Sequence, residues 1–493
     1  MSAHHLLAFD LGASGGRGFR GRLEGGRLSL DEIARFDNGM VPIRGGLYWN
    51  VVELLQQIVR GMQACGASGP RPESLGIDTW GVDFGLLAAD GSLISLPRAY
   101  RDPRLAGAME EVFARVPRRE VYRITGTGLG GINTLYQLYA MARDGWPLLS
   151  AATDLLMMPD LLNYLLTGEK RAEFTVITTS QMYNPTAGAW AKELVEGLGL
   201  PSSLLREVVP PGTVIGALED DLGQRTGLGA LPVVATASHD TAAAVAAVPA
   251  EGQDWACISS GTWSLMGVEA DRPIVTDESL ALSFSNEGGV GGKVRFLRNM
   301  TGLWLVQQCR QAWAREKLYS YRELTECAAQ SQGFASIIDP DHSAFVHPAD
   351  MPAAIRDFCR RTGQPAPEGV GDTMRCIFVS LALKYRLTLE QLRGFHPHPI
   401  RRIHVVGGGS QNELLCQLTA DATGLPVIAG PAEATVMGNL LVQAMGLGYL
   451  DSLQQLRDVV RGSSALKQYE PRDTQGWEPA FRRLQDIVAA GRG

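Results

Sequence analysis

Leu231-Pro232-Val233-Val234-Ala235-Thr236-Ala237-Ser238-His239-Asp240-Thr241, a run of alanines from Ala242, and then Ser259-Ser260-Gly261-Thr262-Trp263-Ser264 form the stretch that decides the reading of this chain. Its apolar beginning predicts a strand over 231–236, and its small residues predict a helix that starts beside Asp240. An acid is thereby set on a strand-to-helix turn. A short step later, Gly261 and its hydroxyl neighbours make a turn between two apolar half-strands. An acid and a hydroxyl turn are the parts needed to deprotonate an alcohol beside a polyphosphate.

The N-terminus repeats the second part of this device. Leu6-Leu7-Ala8-Phe9-Asp10-Leu11-Gly12-Ala13-Ser14-Gly15-Gly16-Arg17-Gly18 reads as a strand ending in Asp10, a Gly/Ser turn and a return strand. Two phosphate-sized hairpins in two parts of one chain predict a duplicated α/β fold that closes on a nucleotide. The spacing is not that of a dinucleotide fingerprint, and no Lys-Ser/Thr pair follows to make a P-loop. Ser238-His239-Asp240 is no hydrolase triad, because consecutive residues cannot relay a proton in that geometry.

Composition bounds the function. With 493 residues, 45% hydrophobic and 20% charged, the chain is long enough for two large domains with full cores. A net charge of −7 gives no general attraction to nucleic acid or to an anionic membrane, so a bound anion must be held by local donors. Seven scattered cysteines without a C-x-x-C pair argue against a disulfide framework or structural zinc, and the opening residues lack the features of a signal peptide. No apolar run approaches a membrane span. These features predict a cytoplasmic protein with buried thiols; oligomeric state stays open.

The remaining pattern alternates strands and helices. Helical spacing covers 51–63. The stretch 75–87 reads as a strand, a polar turn and a second strand, with a turn at 89–92 closing a hairpin. A helix is expected over 155–166 with Pro159 inside it, and a crossing loop over 201–216. The pattern restarts near 250, with helices over 302–317 and 369–394, a strand over 403–406, a glycine turn, a helix over 413–423, a strand over 426–428 and a helix over 433–447. The expected division is an N-terminal domain over 1–248, a C-terminal domain over 249–448 and a partly helical tail over 449–493.

Four places carry candidate chemistry. Asp10 ends an apolar strand, where a carboxylate needs a partner such as magnesium-bound water, and the turn after it can turn backbone N–H groups toward an oxyanion beside Arg17. Asp240 could be a simple helix cap, but His239 and Thr241 beside it can donate to a polyol, and its carboxylate can take a hydroxyl proton. The Ser259-Ser260-Gly261-Thr262 turn becomes a second phosphate clamp when paired with the first. Gly407-Gly408-Gly409 leaves room for a flat ring or ribose against backbone. His396 and His398 read as solvated histidines in a Pro-rich loop, His342 and His347 carry no assignment, and Trp304, Leu305 and Trp313 read as core.

These residues resemble the FGGY carbohydrate kinases. The resemblance spans the chain to about residue 445 and rests on Asp10-Leu11-Gly12-Ala13-Ser14, Gly76-Ile77-Asp78-Thr79-Trp80-Gly81-Val82-Asp83-Phe84, Tyr100-Arg101-Asp102, Asn133-Thr134-Leu135-Tyr136-Gln137-Leu138, the Asp240 and Thr262 turns, Asn286-Glu287-Gly288-Gly289, Gly302-Leu303-Trp304-Leu305 and the glycine turn. It implies a two-domain, actin-like and ribonuclease-H-like duplicated fold with a cleft between domains. The 78–84, 286–289 and 260–265 wordings are similar to the branch of the family that phosphorylates L-rhamnulose at O1 with ATP and Mg2+. By that resemblance Asp240 is the proton acceptor; Gly81, His239, Thr241 and Asn299 hold the sugar; Ala13, Ser14, Gly15, Gly16, Arg17, Thr262, Gln307 and Gly408 hold ATP; and Asp10 faces the metal through water. Gly15 stands where a second Ser is expected, which removes one hydroxyl contact from that pattern. A sister kinase acting on fuculose, xylulose or glycerol and a catalytically silent sugar sensor remain as alternatives.

Overall fold

In the computed structural model, residues 3–491 are described except 332, 347, 473 and 475; His347 therefore lies outside the described residues. The chain forms two compact units, each discontinuous. The first comprises Met1–Pro249, Glu269–Phe296 and Ala434–Ser463, and the second Ala250–Val268, Leu297–Glu433 and Ser464–Gly493.

The first unit is built on a six-stranded sheet in the order Thr213–Ala217, Pro232–Ala235, Leu75–Thr79, His4–Gly12, Gly15–Glu24 and Arg27–Asp37. His4–Gly12 lies inside this sheet, and its Leu6, Leu7, Ala8 and Phe9 are all fully buried. That explains why its sequence is a continuous apolar run rather than an alternating one. The helix Val51–Ala67 is capped by the Asn50 side chain, which accepts from the Glu53 N–H. It turns Val51, Leu54, Ile58, Met62 and Cys65 inward at helical spacing, into the core that includes Leu7, Phe9 and Ile77.

The second unit repeats the plan. Trp255–Ser260 pairs antiparallel with Trp263–Ala270 and parallel with Arg402–Val406, which pairs parallel with Val427–Ala429. In the first unit His4–Gly12 pairs antiparallel with Gly15–Glu24 and parallel with Leu75–Thr79, which pairs parallel with Pro232–Ala235. Each sheet then adds one antiparallel strand, Thr213–Ala217 in the first and Lys467–Tyr469 in the second. The same order and the same pattern of directions, twice in one chain, is the duplication read from the two hairpins.

Several local expectations need correction. The 89–92 turn closes a short hairpin, with Ala88 N donating to Ser92 O at 2.9 Å, Ile94 N to Leu86 O at 3.0 Å and a bridge between Leu87 and Leu93, but the main strand partner of Phe84–Leu87 is Asp154–Met157. The residues expected to begin a helix at 155 are therefore strand, and the helix is Met158–Thr167, with Pro159 in its first turn, where its missing N–H costs nothing. The stretch 201–216 is not one loop, since Thr213–Ala217 is a strand. The tail joins both units: the helix Leu453–Ser463 falls in the first, and Lys467–Tyr469 and the helix Trp477–Ala490 in the second. Of the trio expected as core, Leu305 is fully buried, whereas Trp304 and Trp313 are half-buried. All seven cysteines are free thiols. No described helix is long and apolar enough to cross a membrane.

Candidate active site

Strand register creates the first part of the site. In the parallel pairing of His4–Gly12 with Leu75–Thr79, Asp10 stands opposite Asp78; in the antiparallel pairing with Gly15–Glu24 it stands opposite Arg17. The Arg17 guanidinium lies 2.7 Å from Asp10 Oδ2. The Thr79 N–H donates to Ser238 O at 2.9 Å, and a parallel bridge joins Thr79 to His239. The ends of three neighbouring parallel strands therefore present Asp10, Asp78 and Asp240, at the edge where open α/β sheets hold ligands.

The carboxyls feel one another. Burial, followed by the Asp10 charge, drives the fully buried Asp78 carboxyl well above the usual range. Asp78 Oδ2 accepts from Asn439 Nδ2 at 2.6 Å, and Oδ1 has no hydrogen-bond partner. Asn439 is steadied in turn by Gln443, whose Nε2 donates to Asn439 Oδ1 at 2.7 Å and to Leu7 O at 3.0 Å. Loss of hydration, with Asp10 as second cause, raises Asp240 to about 6.

Asp240 is the first residue of the helix Asp240–Ala246, and His239 takes the N-cap position. The Thr241 N–H and hydroxyl both donate to Asp240 Oδ1. The turn before the helix rests on Glu173, which accepts from Ser238 N at 3.3 Å and from the N–H groups of Thr175 and Val176. Burial raises its carboxyl to about 7.

Gly81 opens a tight reversal. The Asp83 N–H donates to Gly81 O at 3.0 Å, and Val82 between them has φ 68°. A β-branched residue in that region is strained. The conformation persists because Val82 O accepts from Thr134 Oγ1 and Gln137 Nε2 while Val82 N donates to Thr179 Oγ1. Asp83 is locked by both indoles, Trp49 at 2.6 Å and Trp80 at 2.9 Å, and by Gln137 at 2.8 Å. Trp80 is thus a buried strut.

In the first hairpin Gly12 pairs with Gly15, and Ala13 and Ser14 form the turn, with Ser14 exposed. Gly16 has a packing reason as well: a Cβ there would stand 2.3 Å from the Phe36 ring. In the second unit the Gly261-Thr262 turn is held at its carbonyls. Leu303 N donates to Gly261 O at 2.9 Å and Trp304 N to Thr262 O at 3.1 Å, so the turn sits on the start of the helix Trp304–Trp313. The Thr262 hydroxyl and Gln307 side chain lie 3.1 Å apart. Of the three glycines, Gly407 and Gly409 pack against Ser260, where a Cβ would meet atoms at 3.0 and 2.0 Å, and only Gly408 faces open space.

Among the candidates, then, the first unit brings together Asp10, Arg17, His239, Asp240 and Thr241, with Gly81 two residues beyond Thr79. The second unit brings together Thr262 and Gln307 and leaves Gly408 open. Asn299 lies with an exposed side chain on the strand Val294–Thr301. Sequence reasoning did not assign roles to Asp78, Glu173, Glu287, Arg295 or Asn439. The Asn286-Glu287-Gly288-Gly289 wording was the one available signal for Glu287; Asn439 is a polar residue in an apolar helix pattern.

Comparison with known proteins identifies the family. The sequence model of the FGGY family of carbohydrate kinases, N-terminal domain, matches residues 7–247, and that of the C-terminal domain matches residues 256–447. The chain is 46% identical over 484 residues to the rhamnulokinase of Bacteroides thetaiotaomicron, covering 98% of this chain and 99% of that protein. It is 41% identical to the rhamnulokinase of Oceanobacillus iheyensis, covering 94% and 97%. The fold is similar to that of a ligand-bound xylulose kinase from Lactobacillus acidophilus, with TM-score 0.82, 15% identity and 99% and 98% of the two chains covered. It is also similar to that of Plasmodium falciparum glycerol kinase with ADP, with TM-score 0.79, 11% identity and 99% and 98% covered. Duplicated sheets, paired hairpins, an acid at a helix start and full-length family matches agree: this chain belongs to the FGGY family of carbohydrate kinases.

Proposed function

We propose that the protein transfers the γ-phosphoryl group of ATP to the O1 hydroxyl of L-rhamnulose, giving L-rhamnulose 1-phosphate and ADP in L-rhamnose catabolism. The observation that carries this reading is the full-length identity to proteins named rhamnulokinase. Asp240 supplies the chemistry. Its carboxylate takes the O1 proton as O1 bonds to the γ-phosphorus and the bond to the ADP oxygen breaks. A carboxyl raised to about 6 is ionised near neutral pH and a better base than an ordinary aspartate. His239, Thr241, Gly81 and Asn299 hold the sugar. The Ala13-Ser14-Gly15-Gly16-Arg17 turn, Thr262, Gln307 and Gly408 hold the nucleotide.

Magnesium fits the first unit. The Asp10 charge helps to raise both Asp78 and Asp240, and Asp78 Oδ1 is a buried oxygen without a hydrogen-bond partner, so a cation would meet acceptor oxygens here. Asp10 would hold such a cation through water. When bound, the cation neutralises phosphate charge. The free thiols agree with a cytoplasmic location.

A deoxy sugar needs fixed partners for its hydroxyls and an apolar contact for its methyl. A wrong or missing hydroxyl leaves a polar group unpaired at roughly 1–3 kcal/mol, an order of magnitude or more in selectivity. A panel with ADP readout is therefore expected to give the highest kcat/KM for L-rhamnulose. L-fuculose, D-xylulose or glycerol matching it would refute the substrate and leave the kinase.

A further inference from the structure

Asn286-Glu287-Gly288-Gly289 has no part in the transfer as described, yet Glu287 is 5% exposed and Arg295, seven residues on, only 1%. Charges that deep persist only when paired with good geometry. Arg295 Nε donates to Gly288 O at 2.7 Å, and its Nη2 lies 3.2 Å from Glu287 Oε2. Glu287 Oε1 accepts from Ser285 Oγ at 3.1 Å. The same Arg295 Nη2 lies 3.1 Å from His239 Nδ1.

Two groups face Nδ1, the Arg295 guanidinium at 3.1 Å and Glu287 Oε2 at 3.6 Å, and only the guanidinium is within hydrogen-bond distance. A guanidinium has donors and no acceptor, so a protonated Nδ1 would place donor against donor. Nδ1 must accept, and the ring proton is on Nε2. Burial, and after it the Arg295 charge, hold His239 well below its ordinary pKa, so the ring is neutral. Nε2 lies 3.4 Å from Asp240 Oδ1, the oxygen that also receives the Thr241 N–H and hydroxyl. Every contact that the Asp240 carboxylate makes with these neighbours converges on Oδ1.

We infer that Arg295, balanced by Glu287, is a positioning residue: it fixes His239 as the Nε2–H tautomer aimed at Asp240 Oδ1, so that Oδ2 is the oxygen that receives the proton of the sugar hydroxyl. The final clause rests on the kinase reading; the tautomer does not. Removing the guanidinium leaves Glu287 Oε2 as the group facing Nδ1, and an imidazole able to take a second proton beside Asp240 would pair with the carboxylate and weaken it as a base.

The test reads the tautomer first, in the full 15N-labelled chain without sugar or nucleotide. Long-range 1H–15N spectra of wild type, with His239→Gln for assignment, are expected to show an unprotonated Nδ1 and a protonated Nε2. An Nδ1–H tautomer would overturn the inference, whatever sugar the enzyme uses. Arg295→Met with Glu287→Gln, which removes both charges together, is expected to mix the tautomers and lower kcat by roughly ten- to a hundredfold with the KM for ATP unchanged, the scale on which outer partners of a functional imidazole act. Arg295→Lys, which keeps a donor, is expected to restore the tautomer and part of kcat. Wild-type tautomer and kcat in the double variant would overturn the inference. If that variant does not fold, the wild-type spectrum and Arg295→Lys decide.

Discussion

Asp240 is basic because of its setting. The strand end and helix start around it strip away hydration, Asp10 adds like charge, and Thr241 and Arg295 pull in the other direction. Asp240→Asn keeps the volume and removes the base, so sugar and nucleotide binding by calorimetry should persist while kcat falls at least about a hundredfold. Near-normal turnover at saturating substrates would sink the assignment. The pH profile has a defined sign. The working form is the deprotonated one, so kcat/KM should be level above about pH 7, one unit above the Asp240 value, and fall as pH drops through that value of about 6. A profile level down to pH 5, about one unit below that value, would contradict it.

The helices and strands carry these residues through close approach as much as through bonding. Gly438, on the helix Ala434–Gly446, lies against the helix Asp240–Ala246 so tightly that a Cβ would stand 1.9 Å from Ala243 O. Gly438→Ala should push the two helices apart, at the ~1–3 kcal/mol typical of overpacking, and lower both Tm and kcat. Unchanged values would mean that the approach is not needed. Here the sequence was legible only in part. The hairpins at 12–15 and 260–264, the Asp240 helix and the glycine turn each announce themselves by local pattern, because turns and periodicity are local physics. The residues 155–157 misled because an apolar run bounded by polar residues fits a helix as well as a buried strand, and the partner that decides, Phe84–Leu87, is some seventy residues away. Asp78 could be read as part of a motif, but its partner Asn439 could not, since nothing local to either residue shows that they meet.

At the scale of the whole molecule, duplication explains why two hairpins exist, and discontinuity sets how each unit is completed. The first unit takes residues from three separate segments of the chain. A fragment ending at Pro249 would contain Asp10, Asp78, His239 and Asp240 but lack Glu287, Arg295, Asn439 and Gln443. It would leave Asp78 and His239 buried without their partners, or open the core to water. Such a fragment should show no cooperative thermal transition where the full chain does, and a sharp transition in the fragment would refute the dependence. The bond from Asn439 to Asp78 spans 361 residues of chain. On a ribosome adding about 5–20 residues per second, the strand that bears Asp78 emerges roughly 20–70 s before the side chain that will hold it. A nascent chain carries Asp78 long before the residue that satisfies it. Truncated products that end before residue 439 are expected to be cleaved by proteases rather than to act as weak enzymes.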